Sequence, residues 1–336
     1  MATSLRGYHG RAWRRSCDEI STILEPNTFR CEAHRYGSRG TLPASQAGSI
    51  GTAAVTARPT PLVGPPLDVL FDRPGTPRYE FPVLLAARYG GSLGFRRPCL
   101  VANFVTSVDG VAALPIAAES GQVISQHSDA DRFVMGLLRA CSDAVMVGAG
   151  TFRKTPGHLW HPDAIYPPAA ALFAETRVRL GLRPRPAFVL VTGSGDVDTT
   201  QPALQDAIFV TTPGGAARLR KRATASARFC VIDPQGGGLD GVLSELRSEG
   251  LGVLLTEGGP SLVTQLIAQN LLDELFLTVS PLLLGRHGND GRKSLADGVD
   301  LAKTTLDLLS ARRDESHLFL RYSLARSAGA APATAL

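Results

Sequence analysis

Apolar and polar residues alternate along residues 99–324 in segments that predict strands and helices in turn. Short apolar runs bounded by glycine or polar residues predict buried strands, because a strand covered on both faces is apolar throughout. Longer segments with apolar residues three or four positions apart predict amphipathic helices. The predicted strands are 100–105, 144–147, 187–192, 208–212, 229–232, 253–256, 274–279, 305–310 and 317–324. The predicted helices are 83–88, 128–141, 169–180, 216–223, 239–249 and 261–270.

This order predicts an α/β fold with a three-layer αβα architecture. Strands that alternate with helices form a mostly parallel sheet with helices on both faces. The last two strands have no helix between them, so they predict an antiparallel C-terminal pair, and the sheet is mixed. We expect residues 76–326 to form this domain. Residues 1–75 are predicted to be a largely disordered extension and residues 327–336 a disordered tail, because neither is patterned to build a core.

The positive charge is concentrated at the N-terminus. The chain carries 35 basic and 30 acidic side chains, a formal net charge of +5, and residues 1–60 contribute +4 with eight arginines and four acidic residues. The rest is nearly neutral, so no nucleic-acid partner is predicted. No apolar segment has the length or position of a membrane helix or signal peptide. Five cysteines without C-x-x-C spacing indicate reduced thiols and a cytoplasmic protein.

Three glycine-bearing turns follow predicted strands: Gly148-Ala149-Gly150-Thr151, Gly193-Ser194-Gly195 and Glu257-Gly258-Gly259-Pro260. Ligands of open α/β sheets bind beyond the carboxyl ends of strands, so these turns can line one crevice. The last turn begins a helix, whose free N–H groups suit a phosphate, while the carboxylate of Glu257 suits a hydrogen-bond donor. None of the turns completes the Rossmann or Walker pattern. An ordinary strand–turn–helix connection with a solvated glutamate is the alternative interpretation.

Other polar side chains are weaker candidates for the site. Asp109 follows the first strand and can orient or protonate a substrate, or it can simply form an Asp-Gly turn. Arg139 lies in an apolar helix and can reach either a ligand anion or solvent. His158 and His161 lack an acidic or cysteine partner at a suitable spacing, so no metal site is predicted.

Five motifs in the right order resemble the reductase domain of bacterial riboflavin biosynthesis, the C-terminal half of a bifunctional deaminase–reductase. The motifs are Ser107–Gly110, Leu137–Ala140, Asp143–Thr151, Glu257–Leu262 and Leu272–Gly285. The resemblance covers about residues 98–323 and implies a dihydrofolate-reductase-like fold. It also implies an NADPH-dependent reductase, a homodimer, acting on a small heterocycle, 5-amino-6-(5-phosphoribosylamino)uracil.

The same resemblance implies roles for individual residues. It makes Asp109 and Glu257 catalytic, and it gives substrate contacts to Gly121, Arg139 and Glu257. The cofactor contacts that we expect are Val105, Val123, Gly148, Gly150, Thr151, Ser194, Gly258, Gly259, Pro260, Ser261 and Leu262.

The chain departs from the family in the segment after the Gly-x-Gly-Thr turn. Acidic residues are common there, and basic residues follow the next proline, whereas this chain has Arg153-Lys154-Thr155-Pro156 and then His158-Leu159-Trp160-His161. Two alternatives therefore stay open: a dihydrofolate- or pterin-type reductase, and a nucleotide-binding protein without turnover. Retention of both Asp109 and Glu257 argues against the second.

Overall fold

A computed structural model describes residues 64–115, 119–232, 238–288, 290–301 and 304–324. The strands in these ranges are β1 (Asp68–Asp72), β2 (Cys99–Ser107), β3 (Val111–Ala113), β4 (Ala144–Gly148), β5 (Ala187–Thr192), β6 (Ile208–Thr211), β7 (Arg228–Val231), β8 (Val253–Thr256), β9 (Glu274–Ser280), β10 (Lys293–Ser294), β11 (Leu306–Asp314) and β12 (His317–Leu324). The α-helices are α1 (Val83–Tyr89), α2 (Ser120–Ile124), α3 (Asp129–Ala140), α4 (Ala149–Lys154), α5 (Pro162–Ile165), α6 (Ala170–Arg179), α7 (Pro213–Leu219), α8 (Gly238–Ser248) and α9 (Pro260–Ala268). None of these helices has the length and apolarity needed to cross a membrane.

Ten strands form one mixed sheet in the order β1-β11-β12-β9-β2-β8-β4-β5-β6-β7. The strands from β9 to β7 in this order run parallel, whereas β12, β11 and β1 are added antiparallel at one side. The predicted mostly parallel sheet with an antiparallel C-terminal pair is therefore confirmed. A separate two-stranded sheet pairs β3 with β10.

Two apolar cores lie on the two faces of the sheet. Successive residues of a strand point to opposite faces. Cys99 and Val101 of β2 accordingly join a core with α1, α3 and α6, whereas Leu100 and Ala102 join a core with α8 and α9. Helices therefore cover both faces, and the predicted three-layer αβα arrangement is confirmed.

The N-terminal strand β1 lies inside the segment 1–75 that the sequence assigns to the extension. It pairs with β11 along Asp68–Asp72, so the folded body includes residues before 76. Prolines surround this short segment in the sequence, and its apolar run Val69-Leu70-Phe71 is only three residues long and exposed, so the local pattern did not identify it as a strand. Residues 1–63 and 325–336 lie outside the described residues, and their predicted disorder stays a prediction.

Helix α3 is held at both of its ends. At its start, the hydroxyl of Ser128 accepts a hydrogen bond from the backbone N–H of Asp131 at 3.2 Å, so Ser128 is the N-cap of the helix. At its end, the buried guanidinium of Arg177 in α6 donates to the carbonyls of Arg139, Ala140 and Ser142 at 2.8–3.2 Å. The last carbonyls of a helix have no partner within it, so Arg177 supplies the missing donors.

We expect Arg177→Leu to lower the free energy of unfolding by about 2–3 kcal/mol, because buried carbonyls lose their donor. Urea unfolding measures the loss. Arg179→Leu is the matched control in the same helix, since Arg179 is exposed and forms a surface ion pair with Glu175. That control should cost less than about 0.5 kcal/mol. Equal losses for the two variants would contradict the role given to Arg177.

The turns that follow β4 and β8 touch each other through their glycines. A Cβ atom added to Gly258 would lie 2.3 Å from the backbone nitrogen of Gly148 and 2.5 Å from the Cα of Val147. Backbone atoms cannot yield as a flexible side chain can, so glycine is required at position 258 for this close approach.

We expect Gly258→Ala to destabilise the protein by about 1–3 kcal/mol, because the added methyl group forces the two turns apart. Gly150→Ala is the control. A Cβ at Gly150 meets nothing within 4 Å, and in helix α4 alanine is the better helix former by about 0.5–1 kcal/mol. Thermal unfolding should therefore shift in opposite directions for the two variants. A Gly258→Ala protein as stable as the wild type would show that the contact is not tight.

Candidate active site

A cavity of about 760 Å³ opens beyond the carboxyl ends of β2, β4, β5 and β8 and runs along helix α3. Small-molecule sites commonly enclose roughly 300–1,000 Å³, and in open α/β sheets they occupy this side of the sheet. One wall comes from α3, where Asp131, Met135 and Arg139 are spaced four residues apart and share one face. With a rise of 1.5 Å per residue, that wall is about 12 Å long.

Most residues that the sequence assigns to the site line this cavity. They are Val105, Gly121, Arg139, Gly148, Gly150, Thr151, Glu257, Gly258, Gly259, Pro260, Ser261 and Leu262. The lining does not include Asp109, Val123 or Ser194, although Gly193 beside Ser194 belongs to it. The three glycine-bearing turns thus meet in one crevice, as their positions after parallel strands predict.

A buried ion pair between Arg139 and Glu257 lies at one end of the cavity. Nε of Arg139 donates to Oε1 of Glu257 at 2.8 Å, and Nη2 donates to Oε2 at 2.7 Å, so the contact is bidentate. Only 1% of the Arg139 side chain and 7% of the Glu257 side chain are exposed. The pair joins the middle of the chain to the turn after β8, across 118 residues of sequence.

The other N–H groups of Arg139 bind the segment 158–161, which follows Pro156. Nη1 donates to the carbonyls of Leu159 and His161 at 3.3 and 3.2 Å, and Nη2 also contacts Nε2 of His158 at 3.2 Å. A guanidinium has five N–H groups, and these three contacts together with the two hydrogen bonds to Glu257 engage all five. Arg139 therefore anchors the segment 158–161 against Glu257, and because it also lines the cavity, the substrate contact that the resemblance implies stays a prediction.

Aromatic rings form the wall beside this ion pair. His158 and Trp160 line the cavity with their rings in an edge-to-face contact at 4.8 Å between centroids. Trp160 also stacks on Phe152 and Phe188. Burial, together with the neighbouring Arg139 guanidinium, lowers the pKa of His158 to about 4, so this histidine is neutral at physiological pH.

Asp109 has the contacts of a turn residue. Its carboxylate accepts hydrogen bonds from the hydroxyl of Ser107 at 2.5 Å and from the backbone N–H groups of Leu284 and Gly285 at 3.2 and 2.6 Å. These hydrogen bonds lower the pKa of Asp109 to about 2, and the bond from Ser107 has the largest effect. Asp109 thus ties the end of β2 to the loop after β9, and the catalytic role that the resemblance gives it stays a prediction.

Asp131 is a cavity residue that was not among the site residues expected from the sequence. It is almost fully buried, and hydrogen bonds with Thr278 and Ser125 hold its carboxyl group. Burial raises its pKa despite these bonds. The sequence feature that points to a place in the site is the spacing of eight residues between Asp131 and Arg139, which puts both on one face of the helix.

The turns fit a dinucleotide cofactor. Gly259 is the N-cap residue before helix α9 and has a positive φ of 64°, and the free N–H groups at helix N-termini bind phosphate groups. A Cβ at Gly150 or Gly193 would meet nothing within 4 Å, so both leave open space along the crevice. Within the described ranges, no group of three or more His, Cys, Asp or Glu side chains is arranged to hold a metal ion.

Comparison with known proteins agrees with this architecture. Residues 98–320 match the family model of the RibD C-terminal domain. The 2,5-diamino-6-ribosylamino-4(3H)-pyrimidinone 5′-phosphate reductase of Archaeoglobus fulgidus is 30% identical over 213 residues, which cover 62% of this chain and 90% of that protein.

Solved structures show the same fold. A pyrimidine reductase-like protein from Corynebacterium diphtheriae aligns with a TM-score of 0.51 and 23% identity, over 68% of this chain and 93% of that one. RibD of Acinetobacter baumannii aligns with a TM-score of 0.53 and 20% identity, over 72% of this chain and 60% of that one. The expected dihydrofolate-reductase-like fold is thereby confirmed. Since the family match extends from just before β2 into β12, the chain belongs to the RibD C-terminal domain family, the reductases of riboflavin biosynthesis.

Proposed function

We propose that this chain is an NADPH-dependent reductase whose substrate is a phosphoribosylaminopyrimidine, with 5-amino-6-(5-phosphoribosylamino)uracil as the leading candidate. The observation that carries the proposal is one cavity bounded by two kinds of wall. Glycine turns after β4, β5 and β8 form one part, and Glu257 with His158 and Trp160 forms the other. The first part suits a dinucleotide and the second a planar heterocycle.

Catalysis in this site consists mainly of positioning. The glycine turns would hold NADPH, which would supply a hydride to the sugar C1′, and a proton taken up from solvent would balance this reduction as the sugar ring opens. Each carboxylate oxygen of Glu257 accepts one N–H from Arg139, and carboxylate oxygens have further lone pairs. Those lone pairs are available to ring N–H groups in the cavity, so Glu257 orients the heterocycle. The hydrogen bonds to Arg139 hold the carboxylate in place. Because the carboxylate is already held, less entropy is lost when the substrate is brought into the reactive geometry.

The same proposal includes the cellular setting of the enzyme. We expect a cytoplasmic homodimer, in line with the resemblance on which the reductase assignment rests. Light scattering of the purified protein measures the oligomeric state, and a monomer at micromolar concentration would contradict this part.

A dihydropterin or dihydrofolate is the second candidate substrate. The observation that favours it is the neutral His158 and the aromatic Trp160 in the segment where the family resemblance leads us to expect basic residues for the ribose phosphate. NADPH oxidation followed by absorbance, with the pyrimidine and dihydrofolate assayed side by side, distinguishes the two. No oxidation with either substrate would favour the nucleotide-binding alternative.

The preference for NADPH over NADH rests on the turn Gly193-Ser194-Gly195. Arg222 donates to the carbonyl of Gly195 and Arg153 to that of Asp196, each at 3.1 Å, so two cations flank this turn. Cations and hydroxyl donors suit the 2′-phosphate that distinguishes NADPH. Ser194→Asp should weaken NADPH binding much more than NADH binding, because it sets a like charge beside that phosphate. Equal weakening in fluorescence titrations would place the 2′-phosphate elsewhere.

Glu257 and Gly259 are expected to serve different ligands although they are two residues apart. Glu257→Gln should leave NADPH affinity unchanged and lower kcat/KM by an amount equivalent to roughly 1–3 kcal/mol, because a charged hydrogen bond to substrate is lost. Gly259→Val should abolish NADPH binding, because a β-branched residue disfavours the positive φ there and its Cβ lies 3.0 Å from Oγ1 of Thr151. If Glu257→Gln reduced NADPH affinity as strongly as Gly259→Val, the proposed division of the cavity would be wrong.

A further inference from the structure

The segment 158–161 supplies no free positive charge to the cavity. Burial and the neighbouring Arg139 lower the pKa of His158 to about 4, so its ring is neutral, and the guanidinium of Arg139 is neutralised by Glu257. Arginine and lysine side chains are the usual side-chain partners of a phosphate group in proteins. A phosphorylated substrate therefore needs cations from another part of the cavity wall.

The cations of the cavity wall differ in whether they have a carboxylate partner. The arginine and lysine side chains in the lining are Arg132, Arg139, Lys154 and Lys293. Arg132 pairs with Asp129 at 3.4 Å, and Arg139 pairs with Glu257 at 2.7 Å. Among the described residues, no ion pair joins either lysine to Glu119 of the lining or to any other carboxylate. Two ammonium groups in the wall are therefore available to an anionic ligand.

The two lysines reach the same end of strand β3 from different elements. Nζ of Lys154, the last residue of α4, donates to the carbonyl of Leu114 at 3.0 Å. Lys293 of β10 is paired with Ala113 of β3, and both residues line the cavity. Paired residues of antiparallel strands have their Cα atoms about 4.5–5.5 Å apart and their side chains on one face. An ammonium group has three N–H donors, so Lys154 keeps two for a ligand close to Lys293.

The burial of the wall indicates which way a substrate is oriented. Lys293 is exposed, whereas only 7% of the Glu257 side chain is exposed, so Lys293 lies toward the open side of the cavity and Glu257 toward the inside. A charged group at the open side keeps more of its hydration. The proposed function gives the cofactor phosphates other partners, the start of α9 and the turn around Ser194. The two lysines are therefore left for an anionic group of the substrate.

We propose that Lys154 and Lys293 hold the 5′-phosphate of a sugar phosphate substrate whose heterocycle is directed inward to Glu257. Two ammonium groups match a phosphate monoester, whose charge is about −1.5 to −2 at neutral pH. The proposal rests on the reductase function proposed above and deepens it, because it names the residues that select a phosphorylated substrate over a dihydropterin.

Binding of ribose 5-phosphate and of ribose tests this assignment without turnover. The NADP⁺-loaded wild type should bind ribose 5-phosphate more tightly than ribose in calorimetry, because only the first carries the charged group. Lys154→Met and Lys293→Met should each weaken the binding of ribose 5-phosphate by about tenfold, since a hydrogen bond to a charged group is lost. Lys293→Arg keeps the charge and should retain most of the affinity.

Lys221→Met is the matched control, because Lys221 is an exposed lysine outside the cavity lining and its removal changes the net charge equally. This variant should bind ribose 5-phosphate as the wild type does. Lys293 is exposed, so its variants test the assignment even if Lys154→Met disturbs the contact with Leu114. Unchanged binding in Lys293→Met, or equal weakening in Lys221→Met, would overturn the proposal.

The affinity for NADPH separates a substrate phosphate from a cofactor phosphate. Fluorescence titration should give the same NADPH affinity for Lys154→Met, Lys293→Met and the wild type. A loss of NADPH affinity as large as the loss for ribose 5-phosphate would assign the lysines to the cofactor and overturn the proposal.

Steady-state kinetics separate this inference from the proposed function. With 5-amino-6-(5-phosphoribosylamino)uracil, Lys154→Met and Lys293→Met should each raise KM by about tenfold and leave kcat nearly unchanged, because the phosphate is remote from C1′ and binds equally in the ground and transition states. An unchanged KM in an active enzyme would reject the inference and retain the function. Lysine-dependent binding of ribose 5-phosphate in a protein without reductase activity would retain the inference and reject the function.

Discussion

The arrangement of the cavity depends on the contact between Arg139 and Glu257. Removing two charges from water costs several kcal/mol for each ion, and this cost is offset only when geometry is good and the other polar atoms are satisfied. Here the carboxylate takes two of the guanidinium N–H groups, and the segment 158–161 takes the others. The requirement to satisfy one buried arginine thus brings a helix, a turn and a loop to fixed positions around the same space.

The contact between Arg139 and Glu257 also depends on the position of helix α3. Arg139 is near the C-terminal end of α3, and the carbonyls at that end are bound by a second buried arginine, Arg177. A small displacement of the helix would break the bidentate contact with Glu257. It would also move Asp131, which lies eight residues earlier on the same face. Helix α3 therefore fixes the positions of both Asp131 and Arg139 in the cavity wall.

Local sequence patterns account for much of the fold and for the meeting of the glycine turns. The apolar run 253–256 and the periodic segment around α3 each have a strong local signal, and the structure places both within one residue of prediction. Contacts between distant side chains cannot be predicted in this way, because a single sequence shows which groups a side chain is able to bind but not which residues lie beside it in the fold. Arg139 appeared free to bind a ligand until Glu257, 118 residues away, was placed beside it. The cavity role of Asp131 was missed for the same reason, since its hydrogen-bond partners Ser125 and Thr278 belong to other segments of the chain.

The short strand β1 has a practical consequence for handling the protein. It is the strand at one edge of the sheet and pairs with β11 through main-chain hydrogen bonds. A shortened chain that began at residue 76 would leave the nine residues of β11 as a bare edge. Unpaired edges recruit strands from other molecules, so such a chain would be prone to aggregate. Trimming for crystallisation or fusion should therefore leave residue 68 and those after it intact.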